Sequence, residues 1–316
     1  MQSNEPLTQN QTPSSVRRES ASRRIFIGPR GLRAGWRLLI YIAIMFAIAS
    51  VVGLFLRLFG VGRTAFAGVK QLTPLRLGLL EGALLFYSAA AAWIMGKIEG
   101  RKFGVYGLPA DQALRGDFWV GIVWGFLATS VTLLAIFCLH GVRLSGPTIH
   151  GTTIVSAAAA WTLTFLLVGL SEEFSFRGYA QYTLTTGIGF WPSAFVLSAL
   201  FGLAHRGNSG ENIFGESSVV LFGLLFCLFL RRRGNLWWAV GFHMGYDWGQ
   251  TFFYGVPDSG LLPYHNLFIA SFSGPKWLTG GTVGPEASVF TPIVLLIVGL
   301  LFSLTYREAR YRPQAS

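Results

Sequence analysis

Long apolar runs, separated by short stretches rich in glycine, proline and basic residues, set the pattern of this chain. A bilayer core of about 30 Å is crossed by roughly 20 apolar residues in a helix. Such runs lie near 38–59, 77–98, 118–140, 152–171 and 288–306, with three shorter ones near 192–206, 216–231 and 236–255. The pattern predicts an all-α integral membrane protein of about eight transmembrane helices. Glycine and proline mark the loops Gly60–Pro74, Gly100–Gly116, Gly141–Gly151, Gly187–Pro192, Gly207–Gly215 and the long Val256–Pro285. This last loop reads as either a lid or a spacer. Between Gly151 and Thr186 neither proline nor a polar loop intervenes. A helix there would run about 35 residues, roughly 52 Å, and must tilt, kink or protrude.

Composition places the boundaries. Of 316 residues 52% are hydrophobic and 12% charged, about half the charge of a soluble chain, so lipid is the expected solvent. Residues 1–34 are polar, rich in Ser, Asn, Gln and Arg, and too poor in apolar surface to fold; they predict a disordered basic tail. One membrane domain follows over 35–306, then a tail over 307–316. Ala65-Phe66-Ala67 mimics a signal-peptide cleavage site, but the run Leu38 to Phe59 is too long for a signal core, and Arg57 and Arg63 lie between run and site. Cys138 and Cys227 stand apart in apolar runs and predict neither a disulfide nor a metal site.

The net charge of +11 encodes orientation and not nucleic-acid binding. With eight spans, one side carries Arg57, Arg63, Lys70, Arg76, Arg143, Arg206 and Lys276, and the other 18 of the 25 basic residues fall on the opposite side with both tails. Positive charge collects in the cytoplasm, so both termini are expected there, in the inner (plasma) membrane of the cell.

Three stretches carry candidate chemistry. The first is Glu172-Glu173-x-x-x-Arg177, inside an apolar run, where an unpaired carboxylate costs several kcal/mol. Glu173 and Arg177 have the favourable order for a helical i, i+4 pair. Glu172, turned about 100° away, is left for another partner. The second stretch ends in His205, after Phe201-x-x-x. The third is His243-x-x-x-Asp247, one helix face, a spacing that suits two metal ligands or a histidine oriented by a carboxylate. Glu172 and His205 are 33 residues apart about the turn near 188, so in an antiparallel hairpin each lies about 14 residues, roughly 20 Å, from that turn. His243 and Asp247 reach compatible depths from the loop Arg231–Asn235. A polar site is therefore expected between spans 4, 5 and 7, with Glu172 and His205 face to face, His243 on the opposite wall, and Glu173 turned away toward Arg177. Glu81, in the second span, reads as structural, and His140, His150 and His265 receive no role. Peptide hydrolysis needs a base for water and a donor for the developing oxyanion; Glu172 with His205 can supply the first and His243 the second.

In this order on successive hydrophobic helices, the three motifs resemble those of the CAAX prenyl protease and bacteriocin-processing family of intramembrane endopeptidases, over roughly residues 75–306. The resemblance implies that Glu172 and His205 activate the attacking water and that His243 and the residue at 247 stabilise the oxyanion. Position 247 is often Asn in that family. Here it is Asp, which when ionised cannot donate, so Asp247 must be protonated, orient His243, or bind a metal. The expected partners are a membrane-associated or lipidated peptide or protein and the bilayer. No cofactor is required by this chemistry; zinc on Glu172, His205, His243 and Asp247 is the alternative, although the local two-histidine signature of soluble zinc peptidases is missing. Two other functions are compatible with the fold. One is a proton-coupled transporter using Glu172, His205 and Asp247 as a relay, against which no paired interrupted helices are found. The other is a non-catalytic scaffold or immunity protein that retains the motifs.

Overall fold

The computed structural model describes residues 25–28, 31–58, 71–208, 210 and 212–313. Residues 1–24 and the segment with Ala65-Phe66-Ala67 lie outside these. The fold is a helical bundle. Its principal helices are α1 (Ala34–Leu58), α2 (Pro74–Ile98), α3 (Gly116–Cys138), α4 (Thr152–Arg177), α5 (Tyr179–Ile188), α6 (Phe190–His205), α7 (Ile213–Arg233), α8 (Trp237–Trp248) and α9 (Phe290–Thr305). Among the described residues five helical stretches are long and apolar enough to cross a membrane: α1, α2, α3, the combined α4–α5 stretch and α7. Helices α6 and α9 are apolar but shorter.

Local chemistry sets the helix ends. Pro74 opens α2 at a position where its missing N–H costs nothing. The Asn212 side chain accepts from Phe214 N at 3.0 Å and Gly215 N at 3.3 Å, capping α7. Gly234, at φ 80°, closes α7 in the left-handed conformation that glycine tolerates. The long stretch expected from Gly151 to Thr186 is interrupted at Gly178, where the backbone turns to ψ −117°. A Cβ at that point would meet the Phe174 carbonyl, so a glycine accomplishes the kink without proline.

The loops gather at two opposite ends of the bundle. At one end Arg37 pairs with Glu99 at 2.6 Å, Arg233 pairs with Asp117 at 2.6 Å, Leu236 N donates to Gly107 O, and Arg310 N donates to Arg231 O. Tyr311, just beyond α9, is buried there. Before α1, the short strands β1 (Ile27–Gly28) and β2 (Gly31–Leu32) form a hairpin within the segment read from the sequence as a tail. At the other end β3 (Gln71–Leu72) pairs in parallel with β5 (Leu262–Pro263), and β4 (Val142–Ser145) pairs antiparallel with β6 (Ile269–Phe272). The long loop between α8 and α9 is thus tied down by strands, with a helical turn at Lys276–Thr279.

Helix α8 runs through the centre, with every residue from Trp237 to Asp247 buried except His243. Glycines make this possible. On α3, Gly121 and Gly125 face the backbone of Trp238 and Phe242; on α8, Gly241 and Gly245 face the backbone of Phe118 and Ile122. At each of the four, an added Cβ would stand less than 3.0 Å from a carbonyl oxygen of the other helix. This is the small-residue packing by which helices approach closely in lipid. From the opposite side Gly169 brings α4 onto α8, where a Cβ would meet Val240 O at 2.9 Å. Phe229 of α7, Trp238 of α8 and Phe302 of α9 close the aromatic core, with ring centroids 4.1 and 4.8 Å from Trp238. The outer apolar residues, such as Phe46, Leu54 and Leu58 on α1, are exposed, as a lipid-facing surface requires.

Because backbone cannot move aside as a side chain can, Gly125→Ala and Gly245→Ala should each lower folded yield and thermal midpoint in detergent, by at least the ~1–3 kcal/mol of overpacking. Gly53→Ala on α1, where nothing lies within 4 Å, should change neither. Melting curves for Gly125→Ala and Gly245→Ala that match wild type would contradict this packing.

Candidate active site

The second half of α4 carries Glu172, Glu173 and Arg177, and the helical turn sends the two acids to different places. Glu173 and Arg177 are fully buried. Arg177 Nη1 lies 3.4 Å from Glu173 Oε1, and its guanidinium sits over the ring of Phe201 at 4.3 Å, with Phe226 at 5.5 Å and Phe176 at 5.7 Å. Aromatic faces offset part of the cost of burying that charge. The same Oε1 lies 3.0 Å from His243 Nδ1. Glu173 therefore does more than meet Arg177: it also fixes the ring of His243, a contact the i, i+4 spacing alone does not predict.

His243 is held on both sides. Its ring stacks on Phe226, centroids 5.2 Å apart, and its Nε2 lies 3.6 Å from Glu172 Oε2 and 3.4 Å from Asp247 Oδ2. A carboxylate oxygen accepts, so both ring nitrogens are placed as N–H donors. At Nε2 the distances exceed those of a strong hydrogen bond, which leaves that N–H free to turn to an incoming oxygen. His205, at the end of α6, has its Nδ1 2.9 Å from Phe201 O. A carbonyl only accepts, so Nδ1 carries the proton and Nε2 keeps its lone pair.

Glu172, His205, His243 and Asp247 all line one cavity of about 290 Å³. Its apolar wall includes Leu77, Phe165, Phe176, Phe201 and Phe222. Three further acids reach it that sequence reasoning left aside. Glu81 of α2, read as structural, accepts from Ser171 Oγ on α4 and faces the cavity. Asp258 and Glu286 descend from the α8–α9 loop. Asp258 accepts from Thr251 Oγ1 at 2.8 Å; Glu286 accepts from Gln250 Nε2 and Ser259 Oγ, both at 2.9 Å. Burial first, and then the neighbouring carboxylates, push both up to about 8. Gln250 and Thr251 belong to the π-helical turn Gly249–Tyr254 that ends α8, the kind of irregularity often found at functional sites. The sequence signal was an isolated acid beside a proline in an otherwise weakly charged chain.

The zinc set read from the sequence meets a difficulty here. A metal ligand offers a lone pair. His205 Nε2 has one, but His243 Nε2, facing Glu172 and Asp247 as a donor, would offer one only on losing its proton.

Residues 154–249, which contain all three motifs, match the family model described as type II CAAX prenyl endopeptidase Rce1-like. Over those residues the chain is similar to the CAAX prenyl endopeptidase family. The activity of that family is proteolysis, and together with the apolar helices the match makes this an integral membrane protein. No curated protein matches the chain.

Arg177→Ala leaves Glu173 buried with no cation on α4, and breaking a buried pair in this way costs about 3–5 kcal/mol. Folded yield after size-exclusion chromatography should fall sharply. A monodisperse Arg177→Ala protein with wild-type melting would show the pair to be dispensable.

Proposed function

We propose that this protein is an intramembrane endopeptidase that hydrolyses a peptide bond in a membrane-associated or lipidated protein, using a water activated by Glu172 and His205. The observation that carries this reading is the convergence of Glu172, His205, His243 and Asp247, from three helices, on one cavity within the segment that matches the endopeptidase family. Water held between the Glu172 carboxylate and His205 Nε2 loses a proton to this pair as its oxygen attacks the substrate carbonyl. The carbonyl electrons move to oxygen, and His243 Nε2–H donates to the oxyanion. As the C–N bond breaks, the abstracted proton passes to the leaving amine. Asp247, an acceptor when ionised, orients His243 through the 3.4 Å contact. Glu173 does so from the other side of the ring. None of these steps calls for a metal.

The same reading includes the membrane arrangement: eight passes formed by α1, α2, α3, α4 with α5, α6, α7, α8 and α9, with both termini cytoplasmic in the cell's inner membrane. The gathering of Arg37, Arg101, Arg231, Arg233 and Arg310 at one end of the bundle supports that orientation. Reporter fusions after Pro147 and after Gly234 should then report opposite sides; the same side for both would overturn it.

The chemistry is tested by assaying purified protein against a library of membrane-anchored and prenylated peptides. Wild type should cleave, and Glu172→Ala and His205→Ala should each lose about 10²- to 10⁴-fold in rate, the worth of general-base assistance, while remaining folded. Undiminished cleavage by Glu172→Ala would refute the assigned base, and a wild type inert toward every peptide would favour the scaffold reading.

A further inference from the structure

The candidate hydrolytic machinery leaves Asp258 and Glu286 unused, yet both line its cavity, Glu286 buried and Asp258 half-buried. One oxygen from each of Asp247, Asp258 and Glu286 lies within 4.8 Å of the others. Ligands on opposite sides of one calcium-sized ion, at 2.3–2.6 Å each, stand about 5 Å apart, so a single ion can touch all three. Charge points the same way. Among the described residues, Glu81, Glu172, Asp247, Asp258 and Glu286 line the cavity with Glu173 against its edge, and these six acids face the basic side chains Arg177, His205 and His243. Buried carboxylates in that excess need compensation.

An independent observation comes from Gln250. Its side chain is fully buried, and its Nε2 reaches Glu286, which directs the amide at the cluster. Among the described residues its Oε1 has no hydrogen-bond partner. An amide oxygen without a donor, on a side chain bonded to one of the three carboxylates, is costly to bury. A hard cation takes carboxylate and amide oxygens together.

We propose that Asp247, Asp258 and Glu286, with the amide oxygen of Gln250, form a binding site for one hard divalent cation of the calcium type at the mouth of the α8–α9 loop. The ligands come from α8, from its π-helical end and from both ends of the loop. The ion would therefore fasten that loop to the central helix. It would also give Asp247 a partner opposite His243, consistent with a carboxylate at 247 where the resembled family often has an amide. The site is defined by its own ligands and does not depend on the peptidase reading.

Binding of calcium itself is the test. Full-length protein in detergent, stripped with EDTA, is dialysed to equilibrium against ⁴⁵Ca²⁺, so the readout is independent of cleavage. Wild type should bind one ion per chain. Asp258→Asn, Glu286→Gln and Gln250→Leu should each bind more weakly, by at least the ~10- to 100-fold typical of losing even an outer-shell partner, whereas Glu308→Gln, on the exposed tail, should bind as wild type. Absence of saturable binding by wild type up to about millimolar calcium, the weak end of natural sites, would show that the cluster is neutralised by protons and overturn the proposal. Wild-type affinity in any folded member of the three ligand variants would overturn it too. Should those variants all fail to fold, stoichiometric binding by wild type that competing Mg²⁺ at equal concentration does not displace supports the site, and displacement by Mg²⁺ rejects it.

Discussion

Everything in this molecule that bears on chemistry depends on how closely two helices can approach. In lipid no hydrophobic force pulls apolar helices together, so contact must come from shape. Gly121 and Gly125 on α3 and Gly241 and Gly245 on α8 remove the side chains that would hold the two backbones apart. His243 lies between the two glycines of α8. Gly169 lets α4 approach from the other flank, against Val240 and His243, and this brings Glu172 and Glu173 to the imidazole. The same positions that permit packing therefore aim the ring.

Electrostatics completes what packing begins. Buried between Glu173, Glu172 and Asp247, the ring of His243 has acceptors at each nitrogen, while His205 has its proton tied to a backbone carbonyl. Two histidines in one cavity thus take opposite roles, donor and acceptor, because of what each faces. Arg177 anchors the arrangement from below, set among three aromatic rings and bonded to the glutamate that orients His243. An excess of acid remains, and it lies on the side of the α8–α9 loop.

The helical character was legible because a lipid-facing helix must be apolar along its length, and α1, α2, α3, α4 and α7 each read so. Counting residues to the turns put Glu172, His205, His243 and Asp247 at compatible depths, since helix rise converts sequence distance to depth, and all four line one cavity. Other features depended on partners that spacing does not reveal. Glu81 meets Ser171 90 residues away, and Asp258 meets Glu286 across the α8–α9 loop; a lone acid carries no sign of its partner. Glu173 was paired with Arg177 by spacing, and its bond to His243, 70 residues distant, was not foreseen. The glycine pairs lie openly in the sequence, but only the facing helix shows that they matter. The stretch was expected to tilt, kink or protrude; that it kinks, and at Gly178, was not legible, because glycine also occurs in unbroken helices.

The central claim is that a peptide carbonyl binds in this cavity with its carbon toward the water at Glu172 and His205 and its oxygen toward His243. It is tested most directly by a structure of the purified protein with a phosphinic peptide, whose tetrahedral phosphorus mimics the hydrated carbonyl. The account predicts one phosphinyl oxygen facing Glu172 and His205, and the other within hydrogen-bond distance of His243 Nε2. A phosphinate bound outside this cavity, or within it but turned away from His243, would contradict the account.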